Sequence, residues 1–139
     1  MLDGYAVEDQ IGFLLRRAHQ RHAALFQDGI DDIDLTPTQF TALVKTVELG
    51  RVTQNQLGRL TAMDPATIQG VVRRLIARDL VDRAPDPMDR RTAVLAATAQ
   101  GVALATAAIA RARWITEATL APLDKTERHH LIALLRKIA

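Results

Sequence analysis

The residues most able to do chemistry lie between positions 86 and 91, in the run Asp86-Pro87-Met88-Asp89-Arg90-Arg91. Asp at the first position of a turn and Pro at the second favour a tight reversal, because the proline ring pre-sets the backbone angle that the turn requires. Short, largely apolar flanks (Leu80, Val81 before; Val94, Leu95, Ala96 after) make the stretch a small β-hairpin with two guanidinium groups at its tip. Such a tip fits the narrow minor groove of DNA, where negative potential is concentrated and arginine is drawn in. In this reading Asp89 orients a guanidinium by a charge-assisted hydrogen bond before DNA arrives. The structural alternative is a surface turn with an ordinary Asp–Arg pair, worth under about 1 kcal/mol.

A second candidate group lies just upstream, in AMDPATIQGVVRRLIARDLV. Asp64 has the chemistry of an N-cap and Pro65 that of a first helical position, so a helix begins there, one turn after a shorter helix that starts at Thr53. Two short helices joined by a tight turn form a helix-turn-helix outline. Ile68, Val71, Val72 and Leu75 share one arc of the second helix; Ala66, Gly70, Arg73 and Ala77 lie opposite, flanked by Thr67, Gln69 and Arg74. The major groove admits a helix, and the N-terminal part of the second helix of such a pair meets the base edges. Thr67 and Gln69 can hydrogen-bond bases, with Arg73 and Arg74 one turn further on. Gly70 costs the helix about 1 kcal/mol relative to alanine. Two explanations stand side by side: close approach of the backbone to DNA, or neutral drift on an exposed face.

Other chemistries are poorly supplied. The chain has no cysteine, which removes disulfides, thiolate metal sites, cysteine nucleophiles and thiol redox sensing together. His19 and His22 stand one helical turn apart and His129 and His130 are adjacent, but two imidazoles without a nearby carboxylate or thiolate rarely hold zinc. Asp31, Asp32 and Asp34 lack the glycine and terminal glutamate of a calcium loop. No nucleophile triad or glycine-rich phosphate loop is spelled out, so neither an enzyme nor a cofactor is expected. Formal charge is only +2, yet every basic residue from Arg51 to Arg91 is arginine, and these crowd the second helix of the pair and the hairpin tip.

The elements that position these residues follow from capping and periodicity. Apolar residues from Val7 to Phe26 recur at helical spacing and predict one amphipathic helix, which the segment GIDDIDL interrupts. Thr36-Pro37-Thr38-Gln39 is a capping box with proline at the first helical position, and Gly50 is the stop. After the hairpin, Thr98 or Gln100 opens a long alanine-rich helix through Ala121, and Asp124-Lys125-Thr126-Glu127 starts a last amphipathic one. With 139 residues, 48% hydrophobic and 24% charged, the chain fits one soluble domain, with no signal peptide or membrane-spanning run and hence a cytoplasmic location as the expectation.

DPMDRRTAVLAATAQG resembles the signature of the MarR (multiple-antibiotic-resistance regulator) family of winged-helix transcription factors, whose wing reads D-P-x-D-R-R, then a strand, then T-x-x-G; Thr98 and Gly101 fall in place. LTPTQFTALV, the helix pair and LDKTERHHLIALLRKI match as well, so the resemblance spans nearly the whole chain. It implies a mainly α fold with a small β-wing, the winged helix-turn-helix at about 36–98 flanked by dimerisation helices at about 7–26 and 99–139, all in one domain. It further implies a homodimer on a palindromic double-stranded DNA operator. The DNA-contacting residues would be Pro65, Ala66, Thr67, Gln69, Gly70, Arg73 and Arg74 on the recognition helix and Asp89, Arg90 and Arg91 on the wing, with Arg91 in the minor groove. One departure is evident: many relatives carry a basic side chain at the position of Gly70 and an acidic one at that of Arg73. The resemblance also implies a pocket for a small aromatic carboxylate, for which Phe13, Arg16, His19, His22 and Phe40 are the candidates, with Trp114 less so. The expected function is therefore a ligand-responsive repressor; the competing expectation is a dimeric architectural or interaction protein that binds DNA without an effector.

Overall fold

The computed structural model describes residues 2–139. Its elements are a 3₁₀ turn at Val7–Asp9, α1 (Ile11–Ile30), a second 3₁₀ turn at Asp31–Ile33, α2 (Pro37–Leu49), β1 (Val52–Thr53), α3 (Gln54–Leu60), α4 (Pro65–Ala77), β2 (Val81–Pro85), β3 (Ala93–Ala97), α5 (Ala99–Leu120) and α6 (Lys125–Ile138). They divide into two compact units, one formed by the chain up to Gly29 together with Ala112–Ala139, the other by Ile30–Arg111.

The Ile30–Arg111 unit is the winged helix-turn-helix. Its helices start where the local chemistry places them. Thr36 accepts from the Gln39 amide while the Gln39 side chain accepts from the Thr36 amide, Thr53 accepts from the Gln56 amide, and Asp64 accepts from the Thr67 amide. Leu43, Leu57, Ile68, Val72 and Leu75 from three helices meet Val81 and Leu95 of the sheet in a core where each is at most 1% exposed. The sheet has the order β1-β3-β2, antiparallel throughout, with Val52 opposite Leu95 and Val81 opposite Ala97. Sequence reading does not anticipate β1, because a strand of two residues has no period of its own.

At the edges of this unit two arginines fasten the 3₁₀ turn. Arg78 donates to the carbonyls of Asp34 and Ile33, and Arg111 forms a bidentate pair with Asp32 at 2.6 and 2.7 Å. The hydrogen bonds from Arg111 hold the Asp32 carboxyl below its ordinary value of 3.8. A depressed folded-state pKa means that the pair stabilises fully above the unfolded value and fades as pH falls through the lowered one. The difference in urea midpoint between wild type and Asp32→Asn is accordingly expected at neutral pH and low salt, and to close below pH 3.8. Both side chains are largely exposed, so the gap is small and shrinks with salt. A gap persisting undiminished into acid would show that the carboxylate is not its source.

The other unit is helical. Its α1 runs from Ile11 to Ile30 rather than from Val7 to Phe26, a correction at both ends. Val7–Asp9 forms only a 3₁₀ turn, closed by Gln10 in an extended conformation. At the far end Gly29 continues the helix: a Cβ there would lie 2.7 Å from Ile115 Cγ1 and 3.2 Å from Trp114, so this glycine serves close helix packing and not chain reversal. Arg21 donates to the carbonyls of Ala118 and Thr119 near the end of α5. No residue of α6 is buried, and Leu131, Ile132, Leu134, Leu135 and Ile138 all lie open, as do Ile11, Leu14 and Leu15 on α1.

Candidate DNA-binding surface

Position and charge on α4 follow from its cap and the turn before it. The Thr67 amide donates to Asp64 Oδ1 at 2.7 Å, and hydrogen bonds from Thr67 hold the Asp64 carboxyl below its ordinary value, so the cap is charged at neutral pH. The turn passes through Ala62 with φ of 57°, and Met63 returns its amide to Gly58 at 2.9 Å. A Cβ on Gly58 would come within 3.1 Å of the Met63 carbonyl and 3.2 Å of Ile68 Cγ2, so a glycine lets α3 and α4 close on each other. With Ile68, Val71, Val72 and Leu75 buried, the opposite side of α4 presents Pro65, Ala66, Thr67, Gln69, Arg73 and Arg74 to solvent and leaves Gly70 half-buried.

The wing is the β2–β3 hairpin with its tip at 86–92. Asp86 accepts from the Met88 amide at 2.9 Å and its carbonyl takes the Asp89 amide, which closes the expected turn. Asp89 behaves differently from its expected role. Its Oδ1 accepts from the backbone amide of Arg91 at 3.1 Å and its Oδ2 from the Thr92 hydroxyl at 3.2 Å; it makes no ion pair with the Arg91 guanidinium. The carboxylate holds the loop backbone, because an aspartate two residues before an amide reaches it more readily than it reaches a guanidinium that projects away. Arg90 and Arg91 are exposed, and among the described residues neither guanidinium enters an ion pair.

Two supports of the wing have no signal in the sequence of the wing itself. Arg83 on β2 donates to Gln54 Oε1 at 2.7 Å, bracing the wing against the first residue of α3. At the wing's far root, Thr98 accepts from the Gly101 amide, donates its hydroxyl to the Asp79 carbonyl at 2.6 Å, and gives its own amide to Leu80. The spacing Thr98-x-x-Gly101 is the only sequence trace of that knot.

The five effector candidates are divided between the two units. In the helical unit the Arg16 guanidinium lies 5.6 Å from the Phe13 ring centroid, a cation–π contact, and His19 is exposed. His22 Nδ1 is 2.9 Å from the Thr119 hydroxyl, which itself donates to the Ile115 carbonyl at 2.8 Å. With its proton directed at the Ile115 carbonyl, the Thr119 oxygen is placed to accept from His22 Nδ1. Trp114 is about half exposed; Phe40 is half-buried on α2 of the other unit.

A family model described as MarR family matches residues 33–92, the stretch that holds the helix pair and the wing tip. Over 134 residues the chain is 45% identical to the HTH-type transcriptional repressor NicR of Pseudomonas putida, covering 96% of this chain and 85% of that protein. This chain belongs to the MarR family. Among solved structures, a probable transcriptional regulator from Pseudomonas aeruginosa superposes with a TM-score of 0.93 at 50% identity, over 96% of this chain and 100% of that one. BpsR of Bordetella bronchiseptica, in a structure concerned with regulation of its DNA binding by 6-hydroxynicotinic acid, superposes with a TM-score of 0.93 at 40% identity, over 96% of each chain. The expected fold class is thus found, and the MarR-family chain is a DNA-binding transcriptional regulator and not an enzyme. No helix among its described residues is long and apolar enough to cross a membrane.

Proposed function

We propose that this MarR-family regulator is a cytoplasmic repressor that binds a palindromic operator as a homodimer and releases it on binding a small aromatic carboxylate, the whole chain acting as one functional domain. The observation that carries the DNA half of this reading is the pairing, in one compact unit, of an outward face on α4 with an arginine-tipped wing whose turn is built by its own side chains. Pro65, Ala66, Thr67, Gln69, Gly70, Arg73 and Arg74 take the major groove; Arg90 and Arg91 take the minor groove, with Asp89 shaping the loop that carries them.

The open apolar side chains of α1 and α6 support the homodimer, as does a hollow of about 630 Å³ walled by Leu120, Leu123 and Ile132. Such surface is unfavourable in water unless a second copy covers it, and two-fold symmetry suits a palindromic site.

For the effector, Phe13, Arg16, His19 and His22 on α1 supply an aromatic wall, a cation for a carboxylate and imidazole nitrogens for a ring substituent, while Phe40 is a further aromatic candidate on α2. The chemistry agrees with 6-hydroxynicotinic acid acting on the relative BpsR. Incubation with 6-hydroxynicotinate is expected to raise the melting temperature and to free bound DNA, since a ligand at 100 times its Kd stabilises the folded state by about 2.7 kcal/mol. Arg16→Ala should lose this response and keep DNA binding, and a non-aromatic acid should not produce it. If no aromatic acid shifts the melt or the DNA complex, the protein binds DNA without such an effector.

A further inference from the structure

Val52, Leu95 and Arg83 form one row across the sheet, since Leu95 is the register partner of both. Opposite residues of antiparallel strands point to the same face, and so do residues two apart on one strand. Val52 and Leu95 are at most 2% exposed, as is Val81, two positions before Arg83. Arg83 therefore leaves β2 on the side that faces the helices, at the point where the buried core runs out: after Val81 every residue of β2 is exposed. Two rungs remain beyond it, Ala84 opposite Val94 and Pro85 opposite Ala93, before the loop that carries Arg90 and Arg91.

Since β1 ends at Thr53, opposite Val94, the wing past that rung is two-stranded. Such a ribbon with no buried face is marginal by itself, so its tilt is set by what ties it down at the root. Arg83 Nη2 supplies the tie by donating to Gln54 Oε1 at 2.7 Å. Among the described residues no other side-chain hydrogen bond runs from β2 or from the loop at 86–92 to a helix. Gln54 opens α3, which closes on α4 at Gly58. The bond thus links the wing, through one short helix, to the face that presents Thr67 and Gln69. At about 3.3 Å of rise per residue the loop begins roughly 10 Å beyond Arg83, so a tilt of about 10° at this row moves it by roughly 2 Å. That exceeds what a hydrogen bond tolerates.

We propose that Arg83 and Gln54 are a positioning pair that fixes where along the operator the wing meets the minor groove, relative to the bases under α4. The inference rests on the two-groove contact of the function proposed above and adds the group that sets the distance between the two contacts. Sequence preference under the wing, A·T-rich where the minor groove is narrow, then depends on a bond made entirely within the protein.

Selection of bound sites from a random pool of duplex DNA, followed by titration of the enriched wild-type site at fixed salt, tests the pair. Wild type is expected to enrich a two-fold-symmetric motif with an A·T-rich step at one fixed distance from each half-site. Gln54→Ala should keep the half-site, spread the A·T preference over neighbouring positions and bind the wild-type site about fivefold less tightly, while melting near wild type. Arg83→Ala should do the same, and the double variant should be no worse than Arg83→Ala. Gln54→Glu, whose carboxylate also accepts from the guanidinium, should keep the A·T preference at its wild-type position. An Arg83 that instead contacts DNA directly requires Arg83→Ala to fail and Gln54→Ala to keep the wild-type motif and affinity. That result, additive losses in the double variant, a Gln54→Glu protein no better than Gln54→Ala, or a wild-type motif without preference under the wing overturns this inference alone. A wild-type protein that enriches no motif overturns it together with the function proposed above.

Discussion

Gly101→Ala is expected to destabilise the protein severely, more than alanine at any of its other glycines. A Cβ built on Gly101 stands 2.0 Å from the carbonyl oxygen of Leu80 and 2.9 Å from its carbonyl carbon, so the obstruction is backbone and cannot rotate away. Relief requires α5 to draw back from the start of β2, yet that junction is fastened from several directions. The Leu80 carbonyl accepts from the Thr98 amide at 3.0 Å, the Leu80 amide donates to Leu75 at 3.0 Å, and the Thr98 hydroxyl binds the Asp79 carbonyl. Asp79 itself is held at φ of 57°. Withdrawing α5 breaks this knot and uncovers Leu80 and Val81, both at most 2% exposed. Overpacking against side chains costs typically 1–3 kcal/mol; against fixed backbone the cost should be roughly 3 kcal/mol or more, a large share of the 5–15 kcal/mol that holds a small protein together. Thermal and urea unfolding followed by circular dichroism measure it directly. Gly70→Ala is the internal control: the same methyl in an open helix position should stabilise by up to about 1 kcal/mol. A Gly101→Ala protein that melts within a few degrees of wild type would mean that α5 and β2 do not approach as closely as described.

On the wing, Arg91→Ala is expected to weaken operator binding by about 1–3 kcal/mol, or about five- to 150-fold, and to leave the melting temperature unchanged. The residue is exposed at the loop tip, so it has few packing contacts to lose. Asp89→Ala should also weaken binding, although it removes a negative charge from a surface that meets phosphate. The reason lies in the loop. Asp89 holds the Arg91 amide and the Thr92 hydroxyl, and without those bonds the tip must be ordered at the expense of binding energy. Asp89→Asn separates this role from a charge-pair role, because the amide oxygen still accepts from the Arg91 amide. Asn is therefore expected to bind nearly as wild type and Ala to bind poorly, whereas orientation of a guanidinium by the carboxylate's charge requires both to fail. With Arg91 already removed, adding Asp89→Ala should cost less than it does alone. These titrations belong at one salt concentration, since every phosphate contact carries a salt dependence. Tighter binding by Asp89→Ala would identify it as a mere surface acid.

Features whose partners lie within about four residues are legible in the amino-acid sequence alone. The caps at Thr36, Thr53, Asp64 and Asp124, the prolines at Pro37 and Pro65, the reversal at Asp86-Pro87 and the apolar arc of α4 were all legible, because a side chain and the backbone group it satisfies are fixed by spacing alone. From them came the order of helices, the helix-turn-helix, the wing and the outward face of α4. Tertiary structure decided what depends on distant atoms. Gly29 reads as a helix breaker until Ile115, 86 positions later, is seen pressed against it. Gly101 reads as one letter of a motif until the Leu80 carbonyl is found beneath it. β1 exists only because β3 comes alongside it, and Gln54 gains a role only when Arg83 reaches across from the wing. At Asp89 the partners are local, but a carboxylate at that spacing can take an amide or a guanidinium, and only the path of the loop decides which. Local hydrogen bonds are written in residue spacing, whereas steric contact between separate elements is set by how their faces pack, which no single segment encodes.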